Sequence, residues 1–280
     1  MAGRSGFRKL AAPQTTAAIP MLVDSHCHLD RLDFSQIPDG LAGALREAHA
    51  VGVEHFLCVA INLDAYPAMR ALVDPFPEVA VSVGVHPTGG DGQATDPETL
   101  VALASDPQVV ALGETGLDYY YGAEYKQHQQ AEFRTHVQVA HQVGKPLIVH
   151  TRDARTDTLS ILREEGAADV GGVMHCFTED WDTARAALDL GFYISFSGIV
   201  TFRNADALRA VAQKVPADRL LVETDSPYLA PVPKRGRPNQ PAYVRYVAEF
   251  MAELRKEPFE ELARTTTENY FRLFGATPTA

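Results

Sequence analysis

The sequence predicts a (β/α)₈ barrel of the triosephosphate isomerase (TIM) type, on three observations. Short, almost wholly apolar runs rich in β-branched residues alternate about eight times with longer amphipathic segments from Met21 onward. The apolar runs carry no polar face, as expected of parallel strands covered by helices on both sides. Finally, 280 − 20 = 260 residues from Met21 to Ala280 suit a single barrel of about 250 residues. An open doubly wound sheet is the alternative, but no G-x-G-x-x-G follows the first strand.

In order, the first strand is MLVDSH (21–26), followed by a helical pattern over 41–51. HFLCVAI (55–61) and a helix over 64–73 come next, then VAVSVGVH (79–86) and a helix over 96–105. VVALGE (109–114) precedes the strongest helical pattern, 124–144, which stops at Gly144 just before Lys145 and Pro146. A glycine there caps the helix because it tolerates the left-handed conformation. PLIVH (146–150), GGVMHCF (171–177) and FYISFSG (192–198) are strands five to seven, with helices over 153–165, 180–190 and 204–214. RLLVETD (219–225) is the eighth strand, and helices over 240–256 and 258–273 complete the chain. Residues 1–20 are basic and small, without the apolar stretch of about 7–15 residues that a secretory signal needs. They are expected to be a flexible extension, or an upstream start, before one domain over 21–280.

The formal charge of −11 excludes nucleic-acid binding by bulk electrostatics, so a polyanion needs a local basic patch or bound cations. No apolar run approaches the roughly 20 residues that span a bilayer. The three cysteines, Cys27, Cys58 and Cys176, show no C-x-x-C spacing. That count fits a reducing compartment, and the expected location is the cytoplasm.

The strand ends carry the chemistry. Strand one ends in His26 and His28, three in His86, four in Glu114, five in His150, six in His175 and eight in Asp225. In (β/α)₈ enzymes this C-terminal end of the barrel holds the active site. Residues i and i+2 of a strand point the same way, so both imidazoles of the H-x-H pair converge while Cys27 faces away. Glu114 and Asp225 would each be a costly buried charge without a cation. His49, His55, His128, His136 and His141 lie off the strand ends and are assigned ordinary structural roles. Mixed imidazole and carboxylate donors suit zinc, manganese, iron, nickel or cobalt, and about six donors have capacity for two ions.

Together, DSHCHLD, GVHP, GETGLDYY, IVHTRDA, HCF and ETDSPYLAPVP, in this order, resemble the TatD family of metal-dependent hydrolases. The resemblance runs from about residue 21 to ENYFRLF (268–274), and the 229–244 segment looks most like the YcfH-type branch. It implies an amidohydrolase-superfamily barrel and a deoxyribonuclease, most often a 3′-to-5′ exonuclease on single-stranded DNA. It also implies two divalent ions, such as Mg²⁺, Mn²⁺ or Zn²⁺. His26 and His28 match the ligands of one ion, Glu114 the bridge, and His150 and His175 the second-ion histidines. Asp225 matches the strand-eight aspartate that binds metal and takes the proton of water. His86 matches a strand-end position expected to contact substrate or phosphate.

Other substrate contacts follow from position. Arg152, two residues after His150, faces the same mouth if the strand continues, unless it pairs with Asp153 or Asp157. Lys234, Arg235 and Arg237 form the one dense basic cluster. Tyr119, Tyr120 and Tyr121 follow the Glu114 strand and offer aromatic faces to exposed bases. Two other readings compete with the nuclease. A hydrolase acting at a carbonyl, such as a lactonase or cyclic amidase, would share the fold, but many such enzymes bridge their metals with a strand-four lysine, and VVALGE has none. A non-catalytic binding protein on a decayed barrel would be expected to lack a ligand position.

Overall fold

The computed structural model describes residues 21–89 and 94–275, and the extension expected over 1–20 lies outside them. Its strands are Leu22–Cys27 (β1), Val53–Cys58 (β2), Val79–Val83 (β3), Val109–Asp118 (β4), Leu147–Arg152 (β5), Gly172–Met174 (β6), Tyr193–Phe196 (β7) and Leu220–Val222 (β8). All pair in parallel in the order β1 to β8. A parallel bridge between Cys27 and Ser226 closes the ring. There the Asp225 N–H donates to the His26 carbonyl at 2.9 Å and the His28 N–H to that of Ser226 at 2.8 Å.

The helices are Gly40–His49 (α1), Tyr66–Val73 (α2), Pro97–Ala104 (α3), Lys126–Val143 (α4), Arg155–Glu164 (α5), Trp181–Asp189 (α6), Asp206–Ala212 (α7), Val244–Arg255 (α8) and Phe259–Phe274 (α9). Local signals set several of their ends. Asp96 and Asp180 cap α3 and α6 by accepting the Thr99 and Thr183 N–H groups. Gly144 ends α4 at φ +66° and donates its N–H to the Ala140 carbonyl. No helix among the described residues is long and apolar enough to cross a membrane.

Side chains from all eight strands, among them Val23, Leu57, Ala80, Ile148, Val173 and Leu221, pack together inside the barrel. Tyr270 and Phe274 of α9 pack against that cluster and stop the end where the strands begin. A larger apolar layer, including Phe56, Phe133, Leu147, Phe196 and Met251, lies between sheet and helices. The opposite end of the barrel is left to polar groups.

Five predicted strands end early, β2 at Cys58 and β7 at Phe196 among them, and in the other three this moves a site residue off the strand. β3 stops at Val83, β6 at Met174 and β8 at Val222, so His86, His175 and Asp225 stand on the connections just beyond. Asp225 has turned out of the sheet into the left-handed region, φ +57°. β4, conversely, runs four residues past Glu114, because β5 pairs with it as far as Asp118 opposite Arg152.

Candidate metal centre

Glu114 organises the site. Gly113, at φ +139°, brings the chain against β5 so closely that a Cβ would lie 2.6 Å from the Ile148 carbonyl oxygen. The next residue, Glu114, is only 3% exposed. Its Oε1 lies 2.7 Å from His175 Nε2, 3.0 Å from His150 Nδ1 and 3.4 Å from His86 Nε2. Its Oε2 lies 3.5 Å from His26 Nε2 and 3.7 Å from His28 Nε2. Burial alone would raise the pKa of this group. The imidazoles of His175, His86 and His150 outweigh it and hold the carboxyl well below the usual range.

His26 and His28 do converge, with their Nε2 atoms 3.3 Å apart. His28 donates Nδ1–H to the Val59 carbonyl at 2.9 Å, which aims Nε2 into the site, where it donates to Asp225 when protonated and offers its lone pair to a cation when it is not. His26 Nδ1 is buried and has no partner among the described residues. Asp225 Oδ1 lies 3.4 Å from His28 Nε2 and 3.8 Å from His26 Nε2. Burial opposes its ionisation, but the His28 hydrogen bond and the nearby imidazoles keep its pKa below the ordinary value. The ring of His26 stacks on that of His175 at 3.9 Å.

Among the described residues, three sets of donor atoms lie close enough to share an ion: His26, His28 and Glu114; His26, His175 and Glu223; and His86, Glu114 and His150. The donor chemistry, imidazoles gathered around buried carboxylates, fits divalent transition metals. His26, His28, Glu114, His150, His175 and Asp225 thus come to one place, drawn from β1, β4, β5 and the ends of β6 and β8.

His86 belongs to the same cluster by distance but differs in tautomer. Its Nδ1 accepts the Thr88 backbone N–H at 3.1 Å, so a neutral ring carries its proton on Nε2. Burial pushes its pKa down to about 4, so the ring is neutral. It faces Glu114 as a hydrogen-bond donor with no spare lone pair on that atom.

The outer residues divide. Arg152 is exposed, and its guanidinium covers the Tyr120 ring at 4.0 Å and the Tyr121 ring at 4.8 Å. It makes no ion pair with Asp153 or Asp157 among the described residues. The Tyr119 hydroxyl donates to Asp157 at 2.7 Å and accepts from Gln130 at 2.7 Å, and the Lys126 ammonium lies 4.2 Å over its ring. Tyr119 is therefore a strut, and the exposed rings are those of Tyr120 and Tyr121, 59% and 66% exposed. Lys234 lies over Tyr243 and Tyr246, and Arg235 over Phe202, on the connection that follows β8.

Two polar residues were not anticipated. Glu223, fully buried, accepts from His175 Nδ1 at 3.3 Å and from the Cys176 N–H at 2.8 Å, and its Oε2 has no partner among the described residues. Asp118 Oδ2 lies 3.1 Å from His150 Nε2, while Oδ1 accepts the N–H groups of Tyr120 and Tyr121 at 3.0 and 2.8 Å. Each stands an even number of residues from a site residue already identified, Asp225 or Glu114, which is the signal that could have found them.

Residues 23–275 match the family model described as TatD related DNase. The metal-dependent hydrolase YcfH of Escherichia coli K12 is 58% identical over 253 residues, covering 90% of this chain and 95% of that one. The 3′-5′ ssDNA/RNA exonuclease TatD of Citrobacter rodentium is 35% identical over 236 residues, covering 82% and 90%. Among solved structures, YJJV, a TatD homologue from Escherichia coli K12, superposes with a TM-score of 0.84 at 28% identity. It covers 92% of this chain and all of that one. With this match over nearly all the described residues, and with a buried cluster of imidazoles around one carboxylate, the chain belongs to the TatD family of metal-dependent hydrolases.

Proposed function

We propose that this protein is a phosphodiesterase that shortens single-stranded DNA from its 3′ end, using two divalent ions. His26, His28, Glu114, His150, His175 and Asp225 would hold the ions. The observation that carries this reading is the division of labour on Glu114. One oxygen faces His86, His150 and His175, while the other faces His26 and His28. A carboxylate addressed from both sides is suited to serve two cation positions. The relative named as an exonuclease supports the choice of substrate.

Bound divalent ions would supply an activated water and offset charge on the phosphate oxygens. The protein's own groups do the rest. Asp225, ionised at neutral pH, orients the attacking water and accepts its proton locally. His86 donates Nε2–H to a non-bridging oxygen without adding charge. Glu223 fixes the ring of His175, and Asp118 fixes that of His150. Arg152, Lys234 and Arg235 give the polyanion the local positive potential that a chain of net charge −11 otherwise lacks. A cytoplasmic location accords with three free thiols.

The test uses metal-stripped protein and a 5′-labelled single-stranded DNA, with Mg²⁺, Mn²⁺ and Zn²⁺ restored separately. A ladder shortening from the 3′ end, abolished by EDTA and by Asp225→Ala, is the expected result. A protein that binds two metal equivalents yet cuts no DNA would transfer the same site to carbonyl or small-phosphoester substrates.

A further inference from the structure

A cavity of about 330 Å³ opens beside the metal centre, between the connection after β3, the end of β4 and the start of α4. His86 joins it to the metal centre, Tyr121 and Tyr125 stand exposed at its mouth, and buried Gln129 and Glu132 line its base. We propose that this cavity is the subsite for the terminal nucleoside of the strand, which makes the enzyme cut next to an end. The inference rests on the nuclease reading above and adds the place where the end is read.

Size comes first. Small-molecule sites run from roughly 300 to 1,000 Å³, so this cavity holds one nucleoside and not a continuing strand. Chemistry comes second. Among the described residues no lysine or arginine lines it, and Glu132 at its base is a carboxylate, which accepts the Thr95 N–H at 2.9 Å and the Thr95 hydroxyl at 2.5 Å. A phosphate is disfavoured there, whereas a neutral base with exocyclic amino groups is suited to it. Tyr121 and Tyr125 supply rings on which such a base can stack.

The platform is also held in place. The Tyr121 N–H is tied to Asp118, whose other oxygen holds His150, and the Arg152 guanidinium lies against the Tyr121 ring. Gly122 fits because any Cβ would come within 2.3 Å of Gln129 Nε2. The stacking surface is thereby indexed to the metal ligands. The rest of the strand has its own side of the mouth. Lys234, Arg235 and Arg237 follow β8, which lies four strands from β4 in the closed ring, on the opposite rim. The phosphodiester chain runs toward that rim while its last nucleoside sits in the cavity, away from the basic cluster.

The experiment compares two 5′-labelled single strands, identical except that the 3′-terminal nucleotide of one is abasic, using the metal-loaded wild-type protein and Tyr125→Ala. Loss of one stacked base is worth roughly tenfold, so the first cut on the abasic strand is expected to be about tenfold slower in kcat/KM, with the second cut at the normal rate. Tyr125→Ala is expected to slow the intact end by a similar factor and the abasic end by less than twofold. An abasic terminus removed as fast as an intact one, in a reaction that still yields a ladder, overturns the subsite and leaves the nuclease reading standing. No ladder from either strand overturns both.

Discussion

Glu114→Gln keeps the volume at the centre of the site and removes only its charge. In the metal-free protein the carboxylate accepts two close hydrogen bonds, from His175 at 2.7 Å and His150 at 3.0 Å. A charge-assisted bond exceeds a neutral one by about 1 kcal/mol, so about 2 kcal/mol is lost. Against this, glutamine avoids the several kcal/mol that a buried carboxylate costs in desolvation. The two effects oppose each other, and the metal-free variant should unfold within a few degrees of wild type. Metal separates the two proteins. One ion at 100 times its Kd stabilises by about 2.7 kcal/mol, and two by about 5 kcal/mol. At roughly 2–4 °C per kcal/mol for a domain of this size, wild type gains about 10–20 °C. With the shared carboxylate gone, Glu114→Gln should gain half of that or less, bind at most one equivalent, and lose at least about 100-fold in kcat. Calorimetry with and without EDTA, with metal content by mass spectrometry, reads all of this. A variant that keeps two equivalents and the full thermal shift would refute Glu114 as the group serving both positions.

Three further outcomes are expected. Asp225→Asn should lower kcat by about 10²–10⁴ while the protein keeps its metal-free melting temperature, since the change removes a proton acceptor. Equal loss of folded signal by circular dichroism would point to a structural role instead. His86→Gln, which can still present a donor, should retain more activity than His86→Ala by roughly tenfold, and both should keep the wild-type metal content. A fall in bound metal in His86→Ala would make His86 a ligand. His55, buried beside Tyr270 and without a partner for Nε2 among the described residues, has its pKa pushed down to about 4 by burial. The unfolded chain therefore binds the extra proton between about pH 6.5 and 4, and stability falls as pH drops through that window. About 2 kcal/mol should be lost between pH 7.5 and 5. Urea titrations of wild type and His55→Leu at both pH values measure it, and an identical pH dependence in the two would show that the ring is not held neutral.

The sequence alone determined the barrel and most of the metal donors, because both are written in short-range signals. A short apolar run is legible wherever it falls, eight of them alternating with helical patterns leave little choice of fold, and six of the eight end in a histidine or carboxylate. The H-x-H pair needed only the two-residue period of a strand. What the tertiary structure decided depends on residues far apart in the chain. Pairing with β5 carried β4 on to Asp118, which placed that carboxylate on His150 and the tyrosine loop. Glu223 reaches His175 across 48 residues, and Tyr119 is claimed by Asp157 across 38. The tautomer of His86 turns on one backbone N–H, that of Thr88, in a connection whose path no periodicity encodes. The cavity beside it exists only because β4, α4 and the segment after β3 leave a gap between them. Periodicity fixes which way a side chain points along its own element; what it meets there is set by the other elements that pack around it.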